Sequence, residues 1–294
     1  VKSLPISEEL IEDVVSKLYE RALKELPEDV LEALQRAHER EANPLAKEVL
    51  SAIIENSKVA RSRNLLICQD TCIPAYWLKV GTRAVVEGDP IRAIEEGSKK
   101  ATREIPLIPH CVHPITRANT GTNVGPHVPV LHIDLLPGAD YIEITAMPIG
   151  SGSETAPSAL RIFSYADPIG VVKKFILDTV VEAGGKPCPP IIVGVGIGGS
   201  FDYVGWLAKM AAFRPLNLRN PDPEAKMMEE ELLSAINMTG IGPMGMGGDT
   251  TALAVNIEVG HTHTTEMPVA VKLLCWAARR ASAKIYSGGR VEYY

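Results

Sequence analysis

Apolar residues recur at helical spacing through residues 6–60 and in short alternating or continuous runs after Leu65. In the first stretch Leu10, Ile11, Val14, Val15 and Leu18 fall on one face, preceded by Ser7 and the acidic pair Glu8 and Glu9. That is the pattern of a capped amphipathic helix. A second helix is expected over 27–41, with Pro27 suited to its first turn. A third is expected over 44–55, with Leu45, Val49, Leu50 and Ile53 on one face. Residues 90–103 predict another, with Asp89 as its N-cap. Packing against a core accounts for all four faces.

Beyond Leu65, β-type runs lie between Gly, Pro and Asn clusters at 75–80, 128–135, 141–146, 191–195, 251–259, 269–274 and 283–286. Helical spacing returns at 168–183, 201–212 and 223–238. Several strands follow one another with no helix between them, which favours a mixed sheet over a regular parallel one. The expected fold class is therefore α+β: a helical N-terminal region followed by a mixed α/β body. We read residues 1–294 as one domain, helical over 1–60 and mixed over 61–294. No repeat, low-complexity stretch or flexible linker marks an internal boundary.

Composition narrows the classes. Apolar residues make up 46% of the 294 and charged residues 22%, an ordinary balance for a chain with a substantial core. The formal charge of −6 argues against non-specific nucleic-acid binding. No run approaches the roughly 20 apolar residues of a membrane helix. The opening Val1-Lys2-Ser3-Leu4-Pro5 lacks the apolar segment of a secretion signal, so a cytoplasmic location is expected. Five cysteines, an odd number scattered at positions 68, 72, 111, 188 and 275, do not suggest a disulfide framework.

Five polar or glycine-rich loops stand out. They are Cys68-Gln69-Asp70-Thr71, Asn119-Thr120-Gly121-Thr122-Asn123, Gly150-Ser151-Gly152-Ser153-Glu154, Gly194-Val195-Gly196-Ile197-Gly198-Gly199-Ser200, and Gly242-Pro243-Met244-Gly245-Met246-Gly247-Gly248. Each alone is explained by turn chemistry; together they suggest a site assembled from loops. Cys68, Cys188 and Cys275 stand beside such loops or at strand ends. Thiolates can hold iron–sulfur clusters, but from the spacing of the cysteines alone buried structural thiols are the favoured reading.

These motifs, in this order, resemble the α subunit of two-subunit class I fumarases and of L-tartrate dehydratase. The resemblance rests on Cys68-Gln69-Asp70-Thr71, the Asn119 and Gly150 loops, Cys188-Pro189-Pro190 running into Val193–Gly199, Gly240-Ile241-Gly242-Pro243, and Cys275-Trp276 followed by Arg279-Arg280. It implies that Cys68, Cys188 and Cys275 hold a 4Fe-4S cluster with one iron not ligated by protein. It also implies substrate contacts from Gln69, Asp70, the Gly152 backbone and His263, with Asp70 and His263 as catalytic candidates. A β subunit, most simply in an α2β2 assembly, is expected to supply the base that removes a carbon-bound proton. The expected substrate is fumarate with (S)-malate, with L-tartrate the alternative. Two positions depart from the family pattern: Cys72 stands where Gly is usual, and Ile108 stands where a substrate-binding Arg is expected. Arg103 and Arg117 are the nearby cations that would compensate.

Two other readings compete. The run from Gly194 to Gly199 fits a dinucleotide fingerprint, but the acidic residue expected at the end of a second strand roughly 20 residues on is missing, and a Pro-containing loop over 214–219 stands there instead. A zinc site from Cys68, Cys72, His261 and His263 matches no usual zinc spacing. Glycine-loop amides and the helix N-terminus after Ser200 offer places to hold anionic charge. Glu154 is a further loop carboxylate, and His110, His113, His127 and His132 carry no assigned role.

Overall fold

The computed structural model describes residues 4–156 and 158–294; Val1, Lys2 and Ser3 of the opening segment lie outside the described residues. In chain order the elements are helices α1 (Glu8–Lys24), α2 (Glu28–Arg40) and α3 (Pro44–Arg63), strand β1 (Ala75–Gly81), α4 (Pro90–Glu104), β2 (Val130–Leu136) and β3 (Tyr141–Ala146). Then come α5 (Ser151–Thr155), β4 (Ala159–Ser164), α6 (Ile169–Ala183), β5 (Ile191–Ile197), α7 (Tyr203–Phe213), α8 (Pro223–Asn237), β6 (Ala252–Val259), β7 (Glu266–Leu274), β8 (Ala281–Tyr286) and β9 (Val291–Tyr293). Helices and mixed sheets together give the α+β class read from the sequence. The chain divides into two compact units: one takes the chain up to Leu26 with Val59–Gly150 and Arg279–Tyr294, the other Pro27–Lys58 and Ser151–Ala278.

The first unit is a five-stranded sheet, ordered β2-β1-β3-β8-β9, packed against α1 and α4. Strands β1 and β2 are parallel, while β1–β3, β3–β8 and β8–β9 are antiparallel. Tyr76, Leu78, Ile142, Ile144, Ala283 and Ile285 alternate onto the covered face and meet Ile11, Val14, Val15, Leu18, Ala93 and Ile94. Each large apolar side chain so buried contributes roughly 1.5–3 kcal/mol. Ser7 accepts the Leu10 amide and Asp89 accepts the amides of Ile91 and Arg92, so both expected caps start their helices. The helices approach closely at Gly97, where a Cβ would lie 2.7 Å from Glu12 O.

The second unit is a four-stranded sheet, ordered β4-β7-β5-β6, with only β5–β6 parallel. Val193, Val195, Val255, Ile257, Val269, Val271 and Leu273 pack under α6 and α8. Helix α7 covers the other face. Its backbone lies so near β5 that a Cβ at Gly194 would sit 2.3 Å from Ala208 O, and one at Gly196 2.4 Å from Val204 O. The glycines of the dinucleotide-like run are thus explained by helix–sheet contact. The loop expected over Gly150–Glu154 is instead a helix from Ser151, tied to β7 as described below.

Candidate functional site

In the first unit, Tyr19 on α1 reaches under the turn that carries Cys68, Gln69 and Asp70. Its hydroxyl donates to the carbonyls of Thr71 (3.1 Å) and Cys72 (3.0 Å), and burial raises its pKa well above that of free tyrosine. Within the turn, the Asp70 amide donates to Cys68 Sγ (3.4 Å) and the Cys72 amide to Asp70 Oδ1 (2.9 Å). The Gln69 side-chain oxygen lies 3.5 Å from Cys68 Sγ. Gly150 makes room for the carboxylate, since a Cβ there would lie 2.9 Å from Asp70 Oδ2.

Cys72 has φ of +65°, a backbone region that glycine enters without strain and other residues enter at a cost of about 1–2 kcal/mol. This explains why glycine suits the position. Its buried sulfur takes a different role: Arg279 donates from Nη1 to Cys72 Sγ (2.8 Å) and to Asp70 O (2.7 Å). A guanidinium against that sulfur opposes a zinc ion there. Thr71 Oγ1 donates to Ile108 O and accepts the Ile108 amide. The Ile108 side chain is exposed, while Arg103 lies in the last turn of α4 and Arg117 in the exposed turn after His113.

In the second unit, register explains how two distant cysteines meet. Strands β5 and β7 are antiparallel, with Ile192 opposite Leu274. Cys188, just before β5, and Cys275, just after β7, therefore share one end of the sheet. The Trp276 amide donates to Cys188 O (3.2 Å), and the Cys275 amide to Ser153 Oγ (3.3 Å). Cys188 has φ of +55°. Gly152 is beside it, its Cβ direction ending 3.9 Å from Cys188 Sγ.

Two cations at this end were not singled out in the sequence. Lys272, on β7, donates to Ser153 O (2.7 Å) and pairs with Glu154. Lys209, on α7, is 9% exposed, and burial lowers its pKa to about 8; Glu154 opposes that shift and Lys272 adds to it. A lysine inside the apolar runs 203–213 and 266–274 was the available signal. Glu154 is thus engaged with lysine and serves to hold α5.

His263 is not brought to Cys275. It precedes β7, whose nine residues separate the two ends by on the order of 25 Å. There its Nδ1 accepts the Thr265 amide and faces Thr265 Oγ1 (2.9 Å). The adjoining turn meets the glycine end of β5, where Gly199 N donates to His261 O and Thr262 Oγ1 to Gly199 O. Asp202 stands at the start of α7 with its pKa lowered, chiefly by the Ser200 hydroxyl, so that helix end already carries a carboxylate.

Five thiols fall into two sets: Cys68, Cys188 and Cys275 are partly exposed, Cys72 and Cys111 buried. Within neither unit do the described residues group three or more His, Cys, Asp or Glu as a metal site. Cys68 belongs to the first unit and the other two exposed thiols to the second. No helix among the described residues is long and apolar enough to cross a membrane.

Residues 12–284 match the family model described as Fumarate hydratase (Fumerase). The chain is 47% identical over 279 residues to the "Putative L(+)-tartrate dehydratase subunit alpha" of Methanocaldococcus jannaschii, covering 94% of this chain and 97% of that protein. It is 30% identical over 262 residues to the L(+)-tartrate dehydratase subunit alpha of Escherichia coli (strain K12), covering 89% and 86% respectively. The chain belongs to the fumarate hydratase (Fumerase) family of hydro-lyases.

Proposed function

We propose that this chain is the α subunit of an iron–sulfur hydro-lyase that interconverts a 2-hydroxy dicarboxylate and its dehydration product, together with a β subunit. The observation that carries this reading is the division of the thiols. The three partly exposed cysteines are those the family resemblance assigns to a cluster, while Cys72 and Cys111 are buried. Their surroundings suit anionic sulfur: an amide N–H reaches Cys68, and the Lys272 ammonium is anchored on the residue that accepts the Cys275 amide. By the family resemblance, Cys68, Cys188 and Cys275 would hold a 4Fe-4S cluster.

When bound, such a cluster supplies a Lewis-acidic iron to the hydroxyl and one carboxylate of the substrate. The chain's own groups orient and exchange protons. Gln69 donates its amide to a substrate carboxylate. Asp70, held by the Cys72 amide, gives a proton to the departing hydroxyl in dehydration and takes one from the added water in hydration. Gly152 lets the substrate approach the backbone beside Cys188. The base for the carbon-bound proton comes from the β subunit. His263 stands at the far end of β7 from Cys275, and its part in the reaction is assigned to a second copy of the chain in an α2β2 assembly. A cytoplasmic setting, where thiols stay reduced, is the location this chemistry would need.

Fumarate with (S)-malate is the first substrate reading. L-tartrate is the second, favoured by Ile108 at the position where a substrate-binding Arg is expected, and by the names of the relatives. The test is to combine the iron-loaded chain with its β subunit anaerobically and assay both substrates. Hydration of fumarate or dehydration of L-tartrate, absent from either subunit alone, is the expected result. An iron-loaded complex inert toward both overturns the reading.

A further inference from the structure

The family resemblance names Asp70 and His263 as catalytic candidates, but within the first unit the histidine beside Asp70 is His110. His110 Nε2 lies 3.7 Å from Asp70 Oδ1. That nitrogen is buried and has no hydrogen-bond partner, although the ring as a whole is about one-third open to solvent. A buried ring nitrogen is seldom left unmatched.

The backbone around His110 is pinned from three directions. The wholly buried Asn123 accepts the amides of His110 (2.5 Å) and Cys111 (3.3 Å) on Oδ1, and its Nδ2 donates to Thr102 on α4 (3.3 Å). Asn119 donates to Pro109 O (2.8 Å). Thr71, in the Asp70 turn, holds both polar backbone groups of Ile108. The Asn119–Asn123 loop, which has no other role in the proposed chemistry, thus acts as the frame that fixes His110 against Asp70. The 3.7 Å separation is about half an ångström longer than an N–H···O hydrogen bond.

We propose that His110 is a positioning residue of the candidate site: its Nε2–H joins the Cys72 amide on Asp70 Oδ1 and sets the direction in which the carboxylate faces a bound hydroxy-dicarboxylate. The pairing stands on the geometry of the first unit; its use in turnover rests on the hydro-lyase reading. Cys72 N–H and Nε2–H together fix one carboxylate oxygen, while Gly150 leaves space beside the other.

The test has two arms. In the first, imidazole nitrogen–proton correlation spectra are recorded on the full chain labelled with nitrogen-15, with His110→Gln assigning the ring. The His110 ring is expected to carry its proton on Nε2, and its Nε2 resonance to shift in Asp70→Asn while the other histidines hold. A proton on Nδ1, or a ring indifferent to Asp70→Asn, overturns the proposal whatever the enzyme does. In the second arm, His110→Ala in the iron-loaded complex is expected to lower kcat by roughly tenfold or more with a smaller change in KM, and His110→Gln to recover part of the loss. An unchanged kcat in His110→Ala overturns the positioning role. A responsive ring in a wild-type complex inert on both substrates upholds the pair and overturns the hydro-lyase reading instead.

Discussion

Lys209 gives a sharp test of the electrostatics around Cys275. Its ammonium is buried between sheet and helix, and its pKa falls from 10.5 to about 8. The fall corresponds to about 3 kcal/mol of disfavour toward the charged form in the folded protein. Between pH 8 and 10.5 the unfolded chain holds this proton and the folded one has lost it. Stability therefore rises with pH through that window, by at most about 1.4 kcal/mol per pH unit, and the penalty is fully present below it. Lys209→Met keeps the length of the side chain and removes the charge. Urea unfolding of both proteins across this range cancels the titration of other groups in the difference. The variant is expected to be more stable at neutral pH, by up to about 3 kcal/mol, with the margin vanishing above pH 10.5. A margin independent of pH, or a wild type more stable at neutral pH, would refute the burial argument.

Tyr19→Phe leaves the carbonyls of Thr71 and Cys72 without their buried donor, and a loss of about 1–3 kcal/mol is expected in urea unfolding, with faster loss of bound iron. Cys72→Gly relieves the left-handed strain while giving up the sulfur contact with Arg279. Its stability is expected to stay within about 1 kcal/mol of wild type, and its iron content unchanged by metal analysis. Gly194→Ala places a methyl against the α7 backbone and is expected to cost about 1–3 kcal/mol or more in thermal or urea unfolding. Gly121→Ala, whose Cβ meets nothing within 4 Å, reports only backbone strain and serves as the milder comparison.

Much of the fold was legible because single residues announced it. Ser7 and Asp89 cap the helices they were expected to cap, and the alternation at 75–80 and 141–146 falls on β1 and β3. Strand β4 escaped notice because it lies at a sheet edge, with Leu160 and Ile162 exposed and Arg161 between them. Strand β9, only three residues long, carries too short a pattern. Helix α5 contradicts the low helix propensity of Gly-Ser-Gly-Ser because tertiary ties to Lys272 and Cys275 outweigh it. Sequence order also concealed the site. Cys188 and Cys275 meet only because β5 and β7 are antiparallel, and the same register carries His263 away from them. His110 gave no signal, since its nearness to Asp70 depends on Asn123 and Thr71 gripping its backbone.

The most direct test of the central claim is the iron and sulfide content, with the visible spectrum, of the anaerobically reconstituted chain and its five single Cys→Ser variants. Wild type, Cys72→Ser and Cys111→Ser are expected to bind a full cluster and turn brown, while Cys68→Ser, Cys188→Ser and Cys275→Ser lose it. A colourless wild type, or loss that follows Cys72 or Cys111 rather than the three exposed thiols, would contradict the assignment.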